Sequence, residues 1–215
     1  MEKICSLCNT KFYSDCDVCE DCNSFTKFTQ LVEDQFIYGG QKYALNGSEV
    51  RESTDVLFEK HGKNWLIGTI DKYTFRFQNL SRERDLLKIA CYMYIMWLKR
   101  GFYIRPDGIN DPPLDTNIMQ KKEHFWKFVD KVRNDYVDRR KDSYYKELEE
   151  INKKVPNNFR YLFYISDSLG KMSKRNWVNI EQYDLISIFN YSFLTWVEKF
   201  ANIDVHDTDT NTAKK

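Results

Sequence analysis

Apolar residues at steps of three and four open the chain's first long pattern. Phe25, Phe28, Leu31, Val32 and Phe36 predict a helix, with Asn23 or Ser24 placed to cap it. Gly39-Gly40 interrupts that pattern, so FIYGGQKYAL reads as a hairpin turning on the two glycines. NWLIGTIDKYTFRFQ (64–78) reads as a second hairpin, because Tyr73, Phe75 and Phe77 alternate with Thr74, Arg76 and Gln78. The most apolar run, IACYMYIMWL, lies between Lys88 and Lys99 and marks a buried helix. Ser81 would cap that helix, Glu83 and Asp85 would fill its first turn, and Gly101 would end it after Arg100.

Residues 105–117 hold three of the four prolines and form the most credible internal boundary. From Ile118 to Val155 the apolar spacing suits one long helix or two joined near 139–143. NFRYLFYIS (158–166) alternates as a strand would, with an aromatic helix as the alternative, and the basic stretch LGKMSKRNW follows as a loop. A final helix spans roughly Ile180 to Ala201, and a polar tail ends the chain. The expected fold is therefore α+β, a mainly helical body with short β-hairpins. Its expected parts are a cysteine module at 1–35, hairpins plus a buried helix at 36–115, a helical region at 116–201, and a disordered tail at 202–215.

Composition supports a packed core, with 42% apolar and 16% aromatic residues. The net charge of +1 gives no bulk signal for nucleic acid or membrane, so only the distribution of charge informs. Residues 1–35 carry three Lys/Arg against seven Asp/Glu, whereas residues 82–160 carry eighteen against thirteen. The longest apolar run falls short of the roughly 20 residues of a membrane-spanning helix. The N-terminus enters the cysteines with no apolar leader, so a reducing, cytoplasmic setting is expected, and with it metal ligation rather than disulfides.

Five of the six cysteines lie in KICSLCNTKFYSDCDVCEDCNSF. Two Cys-x-x-Cys knuckles closing a loop present four thiolates to one tetrahedral ion and supply the folding energy of a module too small for a core. The preferred ligands are Cys5, Cys8, Cys19 and Cys22, because Cys22 would directly precede a helix start and its positive dipole end. The alternative set exchanges Cys22 for Cys16. Structural Zn²⁺ in a treble-clef or ribbon-like finger is the expected cofactor, with iron–sulfur ligation the other chemistry such runs serve. Four thiolates leave no open position for catalysis. The acidic surroundings make this finger a brace rather than a grip on phosphates.

Elsewhere the chemistry is sparse. Lys171-Met172-Ser173-Lys174 is close to the ATP-phosphate loop of class I aminoacyl-tRNA synthetases, but the His-x-Gly-His phrase those enzymes need ahead of it is missing. No nucleophile elbow, Walker loop or paired-histidine motif occurs, and the chain is expected not to be an enzyme. The candidate nucleic-acid contacts are Arg82 and Arg84, the Arg139-Arg140-Lys141 cluster, and Lys171, Lys174 and Arg175 with Trp177 able to stack on a base.

The order of parts, a four-cysteine finger, hairpins, NLSRERDLL opening a helix and EQYDLISIFNYSFLTWVEKF closing the body, resembles the large subunit of type IV CRISPR effector complexes. The likeness is one of layout; the short spacing between knuckles departs from it, as does the abundance of Phe, Tyr, Asn and Lys. It implies an antiviral-defence subunit that holds the guide RNA end and reads the duplex motif beside a target. The expected function is a non-enzymatic, zinc-stabilised subunit binding RNA or DNA and other protein subunits, with no small-molecule substrate and no membrane. The alternative is a protein–protein adaptor, such as a viral or phage regulator, that uses the finger as its interaction module.

Overall fold

A computed structural model of the protein describes residues 2–9, 11–13, 17–43, 53–101, 118–141 and 160–201. Strands β1 (Glu2–Ile4) and β2 (Lys11–Tyr13) form an antiparallel pair, with Glu2 opposite Tyr13 and Ile4 opposite Lys11. Helices follow: α1 (Glu20–Tyr43), α2 (Ser53–Leu80), α3 (Glu83–Arg100), α4 (Ile118–Lys141), α5 (Arg160–Lys174) and α6 (Gln182–Phe200). A 3-10 turn at Trp177–Asn179 joins the last two. The mainly helical body is as expected, but three predicted β-segments are helical.

The first of these is FIYGGQKYAL, where α1 continues through Gly39-Gly40 to Tyr43; residues 44–45 lie outside the described residues. The glycine pair breaks no helix here, because tertiary packing on one face outweighs a weak local propensity. The second is 64–78. Leu66, Ile67, Ile70, Tyr73, Thr74 and Phe77 are buried, and these steps of one and three trace one face of a helix. Phe75, which made the segment look alternating, is 68% exposed. The third is NFRYLFYIS, whose described residues enter α5 and bury Leu162, Ile165, Leu169 and Met172.

Correction extends to the caps. Leu80 ends α2, Ser81 takes a positive φ of 47°, and Arg82 occupies the cap position of α3. Asp85 is wholly buried and receives Arg76 in a two-pronged ion pair, one arm being Nε to Oδ2 at 2.9 Å. That pairing, with its charge-assisted hydrogen bonds, holds the Arg76 guanidinium above its usual pKa. Glu83 accepts a bond from the Trp196 indole at 2.7 Å. Gly101 does end α3 as expected, at φ 74°, with its N–H turned back to Leu98 O.

Inside α2, Gly62 adopts φ 60° and ψ −152°, dividing the helix at a kink. Only glycine takes that conformation cheaply. The kink presents Lys63 to the carbonyls that end α5, at Met172 and Ser173 (3.2 and 2.9 Å) and at Arg175. The ammonium thus meets the negative end of the α5 dipole. The stretch expected as a basic loop is mostly that helix end: residues 169–174 are helical, and Met172 is fully buried.

Helix α6 is buried without interruption from Leu185 to Phe193, its few polar side chains there, Ser187, Asn190 and Ser192, buried with the apolar ones. It lies against α3, α5, α4 and α1. The expected boundary at 105–117 and the tail at 202–215 lie outside the described residues. So does everything in 118–155 beyond α4.

Candidate functional site

The cysteine site begins with one short turn. Asn9 takes φ 56° and donates its N–H to Cys5 O at 2.9 Å, closing the Cys5–Cys8 knuckle. Asparagine tolerates this left-handed conformation better than most side chains. The second pair starts α1. Cys19 sits at the cap position, its carbonyl taking the first helical bond from Asn23 at 2.9 Å, and Cys22 follows within the first turn. The helix starts earlier than Asn23 or Ser24 would have set it. Cys19 and Cys22 are thereby three residues apart on one helical face, so both sulfurs point the same way. Ser6 N–H donates to Asp17 O at 3.1 Å, and Lys3 pairs with Asp17 at 3.1 Å, tying the knuckles together.

Cys5, Cys8, Cys19 and Cys22 are all buried, and their Sγ atoms lie within 4.8 Å of one another. Cys8 and Cys19 Sγ are 3.7 Å apart, far beyond a disulfide bond of about 2.05 Å. Metal–sulfur bonds of about 2.3 Å in a tetrahedron separate neighbouring sulfurs by about 3.8 Å, which the Cys8–Cys19 pair matches and the 4.8 Å bound on the others allows. A multi-iron cluster interposes iron–iron spacing and needs its ligands wider apart. The donor set therefore fits a single tetrahedral ion with every position filled by protein. Cys16 lies outside the described residues.

Burial pushes the Cys5 thiol up, but the backbone N–H groups of Cys19, Leu7 and Cys8 outweigh it and bring its pKa down to about 6. The Cys19 N–H reaches Cys5 Sγ at 3.4 Å. Burial, and then the crowding of neighbouring sulfurs, raises the Cys22 thiol; Cys19 is also raised, chiefly by burial. Four sulfurs this close cannot all ionise comfortably unless a cation shares their charge.

The site is joined to the body. Val137 of α4 packs against the cysteines, and one turn beyond Cys22, Phe25 stacks on Tyr136 (6.0 Å) and meets Phe193 edge-on (5.1 Å). The expected division at 35/36 falls within α1.

The predicted nucleic-acid residues fare unequally. Arg139 is only 9% exposed: it pairs with Asp135 at 2.8 Å, donates to Ser187 Oγ at 3.0 Å and lies over the Tyr183 ring. Burial raises Asp135, against the lowering effect of Arg139. Arg139 is therefore a structural cation inside the body, and the Arg140 and Lys141 side chains lie outside the described residues. Arg175 pairs with Asp184, and Lys171 with Asp167 one helical turn away. Trp177 rests on Phe58 (5.3 Å) beneath Arg100. Lys174 is exposed and has no ion pair among the described residues.

Arg82 and Arg84 stand at the junction of α2 and α3, both exposed. Arg84 donates to Gln35 Oε1 at 3.1 Å and lies 5.1 Å from the Tyr38 ring centre. Beside them is a group the sequence reading missed. Lys72, Arg76 and Lys88 surround the Tyr73 ring at 4.7, 5.2 and 4.7 Å, and Lys88 also donates to its hydroxyl at 3.3 Å. Among the described residues, Lys72, Arg82 and Arg84 form no ion pair. The signal lay in the helical spacing of Lys72 and Arg76, hidden while that segment read as a strand.

No protein-family model, curated protein or solved structure matches the chain. Among the described residues no helix is long and apolar enough to cross a membrane. Fold and site together define a mainly helical protein with a cluster of four buried cysteines near its N-terminus, spaced as ligands of one metal ion would be.

Proposed function

We propose that this chain is a non-enzymatic, zinc-stabilised subunit that binds single-stranded nucleic acid within a multi-protein complex. Zinc is the ion of choice because thiolate donors in a closed tetrahedral site select it, and four protein ligands leave no position for a substrate. The observation that carries the binding role is the cation–aromatic surface where α2 meets α3. Lys72, Arg76 and Lys88 surround the edge of buried Tyr73, and Arg84 lies over the exposed ring of Tyr38. Lysine and arginine neutralise phosphates, and aromatic faces stack on bases of any sequence. The likeness of parts in the sequence suggests a more specific place, a CRISPR effector subunit beside guide RNA and target duplex, although the two hairpins in that likeness are helical here.

Neutralising Lys72, Arg82 and Arg84 to glutamine is expected to weaken binding of a single-stranded oligonucleotide at least tenfold at low salt. The same change at Lys171 and Arg175, whose charges already have partners, is expected to alter it less than twofold. Fluorescence anisotropy with a labelled 20-mer measures both; equal effects from the two sets would reject the α2–α3 surface.

The adaptor reading has its own observation. On one face of the β1–β2 pair, Ile4 is 62% and Tyr13 is 81% exposed, with Leu7 exposed at the knuckle tip. These lie on the acidic module, a surface suited to a protein partner. A stable partner retained after nuclease treatment, together with no oligonucleotide binding, favours that reading.

A further inference from the structure

Gly39 has no evident structural reason to be glycine. It sits inside α1, where glycine costs about 1 kcal/mol relative to alanine. Its φ is not positive, and a Cβ added there would meet nothing within 4 Å. Neither backbone conformation nor close packing among the described residues calls for it. With Gly40 it lines a cavity of about 190 Å³ between α1, α2 and α3. An apolar cavity of about 150 Å³ suffices for a benzene ring. The space beside Gly39 therefore accommodates a planar ring system.

The cavity's chemistry narrows its occupant. Phe36, Tyr73 and Tyr92 give it aromatic walls, and Gln35 adds an amide able to donate and accept at a base edge. Lys88 belongs both to this lining and to the cations around Tyr73. Arg84 is tied to the wall through Gln35. A pocket of aromatic and amide groups with cations at its edge suits a planar heterocycle attached to phosphate.

We propose that the Gly39 pocket receives one unstacked nucleobase of a bound single strand, while Lys72, Arg84 and Lys88 hold its flanking phosphates. This rests on the nucleic-acid reading above and adds to it a point of base insertion. A nucleobase bearing phosphate could come from a strand or from a free nucleotide; the continuous row of cations on α2 and α3 favours the strand.

The test compares the full chain's affinity for a 20-nucleotide oligo-dT and for an abasic strand of equal length, with dTMP and AMP as competitors. The base-bearing strand is expected to bind about tenfold more tightly, from stacking of an inserted base. Gly39→Leu fills the pocket and is expected to bring the two strands near parity, with abasic binding unchanged. Gly39→Ala is expected to melt higher than the parent yet lose part of the preference, so the test survives if the leucine variant fails to fold. A preference undiminished in both variants, or mononucleotides competing as well as the strand, overturns the pocket while leaving the surface standing. Binding of neither strand at low salt overturns the nucleic-acid reading itself.

Discussion

Replacing Cys22 by serine is expected to abolish metal binding, from one ion per chain to near none by elemental analysis. It is also expected to lower the melting temperature by roughly 10–20 °C, the consequence of losing several kcal/mol from a domain of this size. Among the described residues from Glu2 to Cys19, only Cys5, Cys8 and Cys19 are buried. Among the described residues no apolar cluster besides the cysteines, Val18 and Val137 holds this module, so a bound ion is expected to supply most of its stability. Without Cys22, three crowded sulfurs remain buried against α1 and Val137 with no ion to share their charge. Cys5→Ser, Cys8→Ser and Cys19→Ser are expected to act alike, and Cys16→Ser to leave one ion bound. Metal retained in Cys22→Ser but lost in Cys16→Ser would reject this ligand set.

Phe28→Ala is expected to cost about 3–5 kcal/mol in denaturant unfolding, the usual range for emptying a buried aromatic site. Phe28 is fully buried, with the rings of Phe189, Phe193 and Trp196 each centred 5.6 Å away. These contacts fix α1 to α6, which is buried without interruption from Leu185 to Phe193. The knuckles lie almost two helical turns away, so the folded variant is expected to keep its metal. The two substitutions therefore separate the brace from the core: one removes the ion, the other leaves it and weakens what it braces. Loss of metal in Phe28→Ala at temperatures where the chain stays folded would show that the site depends on the core.

The metal cluster was legible because ligand chemistry fixes residue type and spacing together. Cys-x-x-Cys pairs left little freedom, although the helix beside them starts at Glu20 rather than after Asn23. The helices around Phe28, Met93 and Phe189 were legible for a similar reason, long apolar patterns at one period. What failed was short and aromatic. Tyr73, Phe75 and Phe77 alternate, yet Phe75 is a solvent-facing residue on a helix, and one exposed ring was enough to mimic a strand. Gly39-Gly40 read as a turn because local propensity was all that the sequence displayed; the helix around it is held by neighbours such as Phe36, which packs on Tyr94 of α3, distant in sequence. Arg139 is a different case. A basic run shows charge but not its partners, and Asp135, Ser187 and Tyr183 come to Arg139 only through folding.

The claim that this protein engages nucleic acid through the α2–α3 surface is tested most directly by the salt dependence of binding. Each phosphate neutralised on a single strand contributes about −0.7 to the slope of log K against log salt. Contacts from Lys72, Arg82, Arg84 and Lys88 predict a slope near −3 for the parent chain by that rule, flattening toward zero when all four are changed to glutamine. A parent slope near zero, or one that the four substitutions leave unchanged, would contradict the account.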